Sequence, residues 1–564
     1  MFASVLNTDA QTRPSAPSSS GPPADPILES AGPENTFGTP YVPLDSWIYP
    51  AIVRLQALGY ADTAYLGLRP WTRLSVANML AETSGKLSDH PDDEQAWALL
   101  HALTQEVAPD LSAGSDAQLT ATVDRVYTRV LGIAGPPLRD SFHLGQTIVN
   151  DYGRPYQQGF NNVTGLGARA AYRRFSLDFR GELQHAPSAS GYSAAIAQTL
   201  STIDQVPFGL NQATIPEGPI SARNDFRLVE ANLSMHLLNH EISFGKSDEW
   251  MGTAFGGGMA WSNNAENIYS FRINRVEPLR IPGLSVVTGP FRYDFLVGSL
   301  KGHTNPNDPW IHAEKISFKP TRNLEIGFER SVIWGGRGHV PITLHTFLKS
   351  FFSFQNVTGA EKFSRSDPGA RWGAFDFSYR LPYLRNWVTL YTDSIAHDDV
   401  SPPSAPRRAS VRPGIYVSHF PGMPRLDFRV EAVSTDPPTG RSNGGQFNYW
   451  ETVQSQGYTN KGQIIGDWIG REAKGGQAWF NYHLSPNEWI QLSYRNAKAE
   501  KDFIPGGTTQ HDVMVQLVKR LRPDIELNAW LQAEQWKAPL IKPGSQTNVS
   551  TAVQITWYPK NLKH

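Results

Sequence analysis

The sequence predicts an all-β transmembrane barrel of about eighteen antiparallel strands, preceded by a small α-helical domain. Three observations lead there. From about Ser141 to Tyr558 the apolar residues recur at every second position. The faces opposite them are densely charged on strand after strand. The connections alternate between short and long, the parity of barrels that span the bacterial outer membrane.

Composition supports a single large β unit within the 564 residues. Gly (48), Trp (16), Tyr (20) and Phe (27) suit turns and half-buried strands. No run approaches 18 uninterrupted apolar residues, which excludes a transmembrane helix. Strands escape that requirement, because their apolar residues alternate with polar ones. Lys+Arg (51) and Asp+Glu (52) nearly cancel, so there is no nucleic-acid footprint. With no Cys, disulfides and thiolate metal sites are excluded.

Residues 1–40 read as a disordered leader or linker. Phe2 to Leu6 supplies only a fragment of the apolar region of an export leader, so the true leader is expected upstream of Met1. Asp9 to Pro40 is rich in Pro, Ser and Gly. Residues 41–138 read as a helical domain. Ile48, Ala51, Ile52, Leu55 and Leu58 recur at helical spacing after a cap at Asp45 or Ser46, with Gly59 as the stop. Val76, Met79 and Leu80 follow Thr72, with Gly85 closing the second helix. Trp97, Leu100, Leu103 and Val107 form a third stripe after Pro91. Leu119, Val123, Val126, Tyr127 and Val130 predict a fourth helix, and Gly135-Pro136-Pro137 ends the unit.

Residues 139–564 read as the barrel. Phe175, Leu177, Phe179 and Leu183 alternate with Ser176, Asp178, Arg180 and Glu182. Leu426 to Val433, Ile525 to Glu534 and Val549 to Trp557 repeat the pattern. A soluble sandwich would also alternate, but it has no reason to keep turn parity. Short connections fall at Arg173-Arg174, Leu238–His240, Pro320–Asn323, Pro382–Asn386, Phe420–Pro424, Ser485–Glu488 and Arg520–Asp524. Long ones run roughly over 185–225, 248–266, 332–371, 395–412, 434–476, 498–510 and 535–547. Parity places the helical domain and the C-terminus together on the periplasmic side.

YVPLDSWIYPAIVRLQALGY (Tyr41 to Tyr60) and LGLRPWTR (Leu66 to Arg73) resemble the N-terminal signature of the capsule assembly Wzi family. FGKSDEWMGTAFGGGMAWSNNAENIYSFRI (Phe244 to Ile273) and ERSVIWGGRG (Glu329 to Gly338) resemble that family's barrel. The resemblance implies an outer-membrane barrel of about eighteen strands with a periplasmic helical domain. It also implies a lectin-like role, holding surface polysaccharide at the outer face. The first segment further resembles a single S-layer-homology-like motif, which adds cell-wall polymer as a partner of the N-terminal domain. The alternative is that Arg69, Trp71 and Arg73 cap and pack a helical hairpin.

No nucleophile elbow, Walker loop or HExxH helix occurs, so no catalytic residue is assigned. Gly252 to Gly258 lacks the Lys-Ser/Thr of a phosphate cradle and reads as a loop needing close backbone approach. Asp248 and Glu249 are adjacent in an extended stretch and point apart, which suits loop solvation or a cation contact better than paired acid–base work. The fifteen His show no ligand spacing, so His240, His339 and His345 read as ordinary loop residues, and no metal or cofactor is expected.

Aromatic rings stack on sugar C–H faces, and Asn or Arg pair with sugar hydroxyls. On that logic the carbohydrate-binding candidates are Trp250, Trp261, Asn263 and Asn264 in one loop, Trp334 and Arg337 in another, and Trp450, Tyr458 and Trp468 in a third. Girdle or plug packing is the competing role for these rings. The sequence thus predicts a non-enzymatic outer-membrane protein that binds capsular or exopolysaccharide through extracellular loops, with outer-membrane lipid around it. The rival is an outer-membrane porin or transporter with a charged lumen.

Overall fold

The computed structural model describes residues 38–114, 119–209, 212–355, 357–398 and 405–559. Nearly all of the expected 1–40 linker lies outside the described residues. From Gly38 the chain is already seated, its N–H donating to the Arg173 carbonyl at 2.8 Å.

Three helices come first: α1 (Ile48–Leu58), α2 (Arg73–Leu87) and α3 (Glu94–Gly114). Gly59 closes α1 at φ 98°, a left-handed cap where glycine carries no Cβ penalty. Neither Asp45 nor Ser46 is the N-cap, a place taken by Trp47. Asp45 instead accepts from Arg125 at 2.8 Å, tying the helices to the barrel. Thr72 caps α2 through the Ser75 N–H at 3.1 Å, and the helix runs through Gly85 to Leu87. Ile52, Leu55, Trp71, Val76, Leu80, Leu100 and Leu103 form the buried core of this unit.

The predicted fourth helix is a strand, β1 (Thr120–Ile133). Its Val126 and Val130 fit either period, and the β-branched Thr120, Thr122, Val123, Val126, Thr128 and Val130 favour the strand. The barrel therefore begins near residue 120 rather than 139. The wall continues through β2 (Gly159–Tyr172), β3 (Phe175–Ala186), β4 (Arg223–Leu237), β5 (His240–Lys246), β6 (Tyr269–Arg275), β7 (Phe291–Ser299), β8 (Trp310–Thr321) and β9 (Leu324–Trp334). It is completed by β10 (Ala370–Arg380), β11 (Val388–His397), β12 (Ser410–Val417), β13 (Leu426–Ser434), β14 (Ala473–Ser485), β15 (Glu488–Ala499), β16 (Thr508–Arg522), β17 (Ile525–Ala538) and β18 (Lys542–Trp557).

These eighteen strands form a closed antiparallel barrel. Closure is made by β1, which pairs with β2 on one side and with β18 on the other, in a register that sets Val130 opposite Val553. The wall is inverted relative to a soluble protein. On β3, Leu183 is 59% exposed, while its neighbour Glu182 is 0% exposed. Val549, Val553 and Ile555 of β18 point outward, and Asn548, Ser550 and Thr556 point inward. An apolar outer face and a polar interior are what a bilayer demands of a barrel.

The interior is filled rather than open. Strands β5 and β6 have only seven residues each, and they pair with one another so that Tyr269 faces Lys246. The segment 247–268 leaves the wall there and crosses the lumen to the helical unit. Trp250 and Met251 pair with Arg69 and Leu68, and the Leu44 N–H donates to Asp248 at 2.9 Å. A second segment, 435–472, packs beside it through Tyr449, Trp450, Tyr458 and Trp468.

Wall charges hold both segments. Arg180 of β3 meets Asp248 at 2.7 Å, and Arg412 of β12 meets Asp467 at 2.5 Å. Arg471 of the second segment also reaches Asp204, at the end of a loop helix, α4 (Ala194–Asp204), at 2.6 Å. Glu431 of β13 accepts from the N–H groups of Phe255 and Gly256 at 2.7 and 3.0 Å. The glycines of 252–258 are required by this approach. A Cβ on Gly252 would lie 1.9 Å from the Asp393 carboxylate, and one on Gly258 would lie 2.1 Å from the Trp261 carbonyl.

Candidate functional site

Loop folding decides where the sequence-predicted binding residues sit, and it buries seven of the nine: Trp250, Trp261, Asn264, Trp334, Trp450, Tyr458 and Trp468. Trp250 lies under the Arg69 guanidinium, 5.8 Å from the ring centre. Trp261 offers its carbonyl to the Met251 N–H at 3.1 Å. Asn264 donates to the Ile464 carbonyl at 3.1 Å, and half-buried Asn263 accepts on its carbonyl from the Tyr152 N–H at 2.7 Å. Trp450 donates to the Asp204 carbonyl (2.9 Å), Tyr458 to Ser331 (2.9 Å) and Trp468 to the Gly256 carbonyl (2.8 Å). Only Arg337 is exposed, paired with Asp308 at 2.5 Å.

Trp250, Trp261, Trp450, Tyr458 and Trp468 therefore pack inside the lumen, buried from solvent. The physical reason is that loops crossing a polar lumen must bury apolar surface against one another and satisfy their own backbone. Trp334 departs in another way: it lies on the outer side of β9, 5.8 Å from the Phe347 ring.

Asp248 and Glu249 do point apart. Asp248 turns to Arg180, and Glu249 reaches Arg272 at 3.1 Å. His339 contacts Asp367 at 2.8 Å, and His240 opens β5 beside Tyr293 at 2.6 Å. Arg69, Trp71 and Arg73 are buried in the helical unit, with the Trp71 indole donating to the Tyr65 carbonyl at 3.0 Å.

The long-loop end carries a cavity of about 350 Å³ that the sequence reading missed. It is bordered by the upper ends of β1, β3 and β4 and by the segments 137–157, 212–216 and 460–463. Arg139, Arg154, Arg223, Arg227 and Lys461 line it, against the carboxylates of Asp140 and Glu266. Gln146 Oε1, Thr214 Oγ1 and Arg227 Nη1 are buried there without a hydrogen-bond partner among the described residues. Buried polar atoms of this kind call for a ligand or water to complete them. A second cavity, of about 320 Å³, lies at the other end between α1 and the wall, where Trp250 and Asn263 take part in its lining.

Both carboxylates at the long-loop cavity are already engaged. Burial pushes the Glu266 carboxyl up, but Arg227, Lys246 and Lys461 outweigh it and hold it down at about 2. Asp140 accepts from Tyr192 at 2.6 Å and contacts His143 at 2.8 Å. Burial opposes charge on His143, yet Asp140 and Asp204 raise it to about 9. Glu266 is thus held as an ion-paired carboxylate among these cations. Arg139 and Gln146 belong to the stretch between β1 and β2. Reading Thr120–Ile133 as a strand would have exposed it as a long loop rich in Arg and Gln.

The fold and these sites can be set beside known proteins. The model of the family described as capsule assembly protein Wzi matches residues 130–551. An uncharacterized 55.8 kDa protein in the cps region of Klebsiella pneumoniae is 25% identical over 199 residues. That match spans 35% of this chain and 38% of the relative, well under two thirds of its length. The solved structure of Escherichia coli Wzi is described as an outer membrane protein involved in group 1 capsule assembly and a carbohydrate-binding β-barrel. It superposes with a TM-score of 0.66 at 17% identity, covering 93% of this chain and 100% of that one. The matched region begins in β1 and ends in β18, taking in the wall and both lumen segments, and the chain belongs to the capsule assembly protein Wzi family.

Proposed function

We propose that this protein is a non-enzymatic outer-membrane lectin that holds surface polysaccharide for capsule assembly or attachment. The observation that carries the reading is the polar, cation-rich cavity of about 350 Å³ at the long-loop end, with its unpartnered buried Gln146, Thr214 and Arg227 atoms. Sugar hydroxyls both donate and accept, and they suit such a set. The carbohydrate binding of the Escherichia coli relative supports the same reading. In this reading the long loops face outward, with the cavity at the cell surface and the helical unit in the periplasm.

The filled lumen favours a binder over a porin or transporter. The buried Arg69, Trp71 and Arg73 favour hairpin packing over a wall-polymer surface. A pull-down of folded protein with purified capsular polysaccharide tests the reading. Arg139→Ala, Arg223→Ala and Lys461→Ala together should release the polymer while the barrel stays folded. Undiminished retention by that triple variant would move the site elsewhere.

A further inference from the structure

The connection 335–369 does not stay above the barrel. It folds a nine-residue helix, α5 (Leu344–Phe352), down over the outer wall. Strand parity fixes the side: Ser331 and Glu329 of β9 point inward, so Arg330 and Trp334 point outward. The same parity puts His312 and Glu314 of β8 outside, opposite inward Ala313 and Lys315. Phe347 and Phe351 of α5 pack on Phe295, whose strand neighbour Asp294 faces the lumen.

The helix covers polar groups that bare lipid would not tolerate. Arg330 donates to the carbonyls of Phe351 (2.9 Å), Ser350 (3.0 Å) and Ser353 (2.8 Å), satisfying the C-terminal end of α5. Arg371, also outward, donates to the Gln355 carbonyl at 2.8 Å. His312 contacts Ser350 at 3.0 Å. A cation bare on a lipid-facing wall is otherwise destabilising, most of all near the midplane.

The remaining face of α5 is apolar and uncovered. Leu344 (72% exposed), Leu348 and Phe352 (66% exposed) stand out from it, and exposed Phe354 and Phe363 follow in the same connection. This face is continuous with the apolar wall, which is itself the membrane interface of the fold. Lys349 on the same helix is exposed and donates to the Ser366 carbonyl, and exposed Arg365 follows in the connection. We propose that α5 is an interfacial helix, seated in the acyl chains of the leaflet at the long-loop end. It clamps the 335–369 connection to the membrane plane, and it would lie about 5–10 Å into the headgroup–acyl boundary.

The chain has no Cys, so a single introduced thiol reports one site. Leu348→Cys and, separately, Phe352→Cys would carry an environment-sensitive fluorophore in vesicles of phosphatidylethanolamine and phosphatidylglycerol. Thr439→Cys, on an exposed loop, serves as the aqueous reference. Heat-modifiable gel mobility confirms folding of each variant. Lipids brominated near the headgroup end of the acyl chain should quench positions 348 and 352 at least twofold and leave 439 unchanged. Quenching of 348 and 352 by aqueous iodide to the level seen at 439 would overturn the proposal. Energy transfer between labelled copies, with no quenching by brominated lipid, would assign the face to a second copy and overturn it equally.

Discussion

Arg412 on β12 grips Asp467 of the lumen segment with two parallel hydrogen bonds, Nε to Oδ2 at 2.5 Å and Nη2 to Oδ1 at 2.7 Å. Both side chains are fully buried, so neither charge has water to fall back on. Arg412→Ala leaves the Asp467 carboxylate uncompensated and should destabilise by about 3–5 kcal/mol. Arg412 also pairs with buried Glu431 at 3.0 Å, so replacing Arg412 and Asp467 with Leu together with Glu431→Gln should cost clearly less, because no lone charge remains. Equilibrium unfolding in urea, in lipid vesicles, gives the comparison.

The outer wall makes a second prediction. Leu531 is exposed on the lipid side of β17, and Leu531→Arg should destabilise by about 2–4 kcal/mol if it lies near the bilayer midplane. Gln516 faces the cavity of about 320 Å³, so Gln516→Lys should change stability far less. Equal losses in the same unfolding assay would contradict a membrane-facing wall.

His143 links three connections, contacting Asp140 at 2.8 Å and Asp204 at 2.9 Å, while Asp204 also holds Arg471. Its pKa is raised to about 9 by those carboxylates, against the opposing effect of burial. A raised histidine contributes stability that is complete below its unfolded value, about 6.5. That contribution is lost as pH rises through about 9. Hydrogen exchange in 135–158 and 194–204 should therefore accelerate on going from pH 6 to pH 10, beyond the intrinsic base-catalysed rise. His143→Gln should abolish the excess.

Conduction should be closed by the lumen segments more than by the helices. Intact protein in planar bilayers should pass little current, and removal of residues 1–118 alone should leave that current near baseline. Deleting Gly252–Asn263 as well should produce stepwise conductance. Large currents from the first truncation would give the helical unit the sealing role.

Trp468 separates packing from binding. Its ring stacks beneath Arg495 at 4.7 Å inside the lumen. Trp468→Ala should cost about 3–5 kcal/mol of stability. Polymer retention per folded molecule should stay unchanged, as read by pull-down normalised to heat-modifiable protein.

The period-2 pattern carried the wall well, because a bilayer outside and charges inside leave each strand one legible face. Phe175–Glu182 and Val549–Trp557 read correctly for that reason. Thr120–Ile133 misled because Leu119, Val123, Val126 and Val130 also satisfy helical spacing, and only the density of β-branched residues argues otherwise. The candidate site was less legible. Whether Trp261 or Trp450 faces water or a lumen depends on where a loop travels, and no local pattern encodes that. Likewise Arg330 and His312 break the apolar face of their strands, a signal of cover by another segment that alternation alone cannot supply.

The seam between β1 and β18 joins residues more than four hundred positions apart, from Val126 with Trp557 to Ile133 with Ser550. The ring can close only after the last strand has been made. The two lumen segments lie between them in the chain, and a closed ring of hydrogen bonds offers them no sideways path in. The order of assembly follows: the contents go in while the sheet is still open, and β1 then zips shut with the helical unit following only a few residues behind it. Closing of the wall brings the helical unit to the mouth with it, because α3 and β1 are near neighbours in the chain.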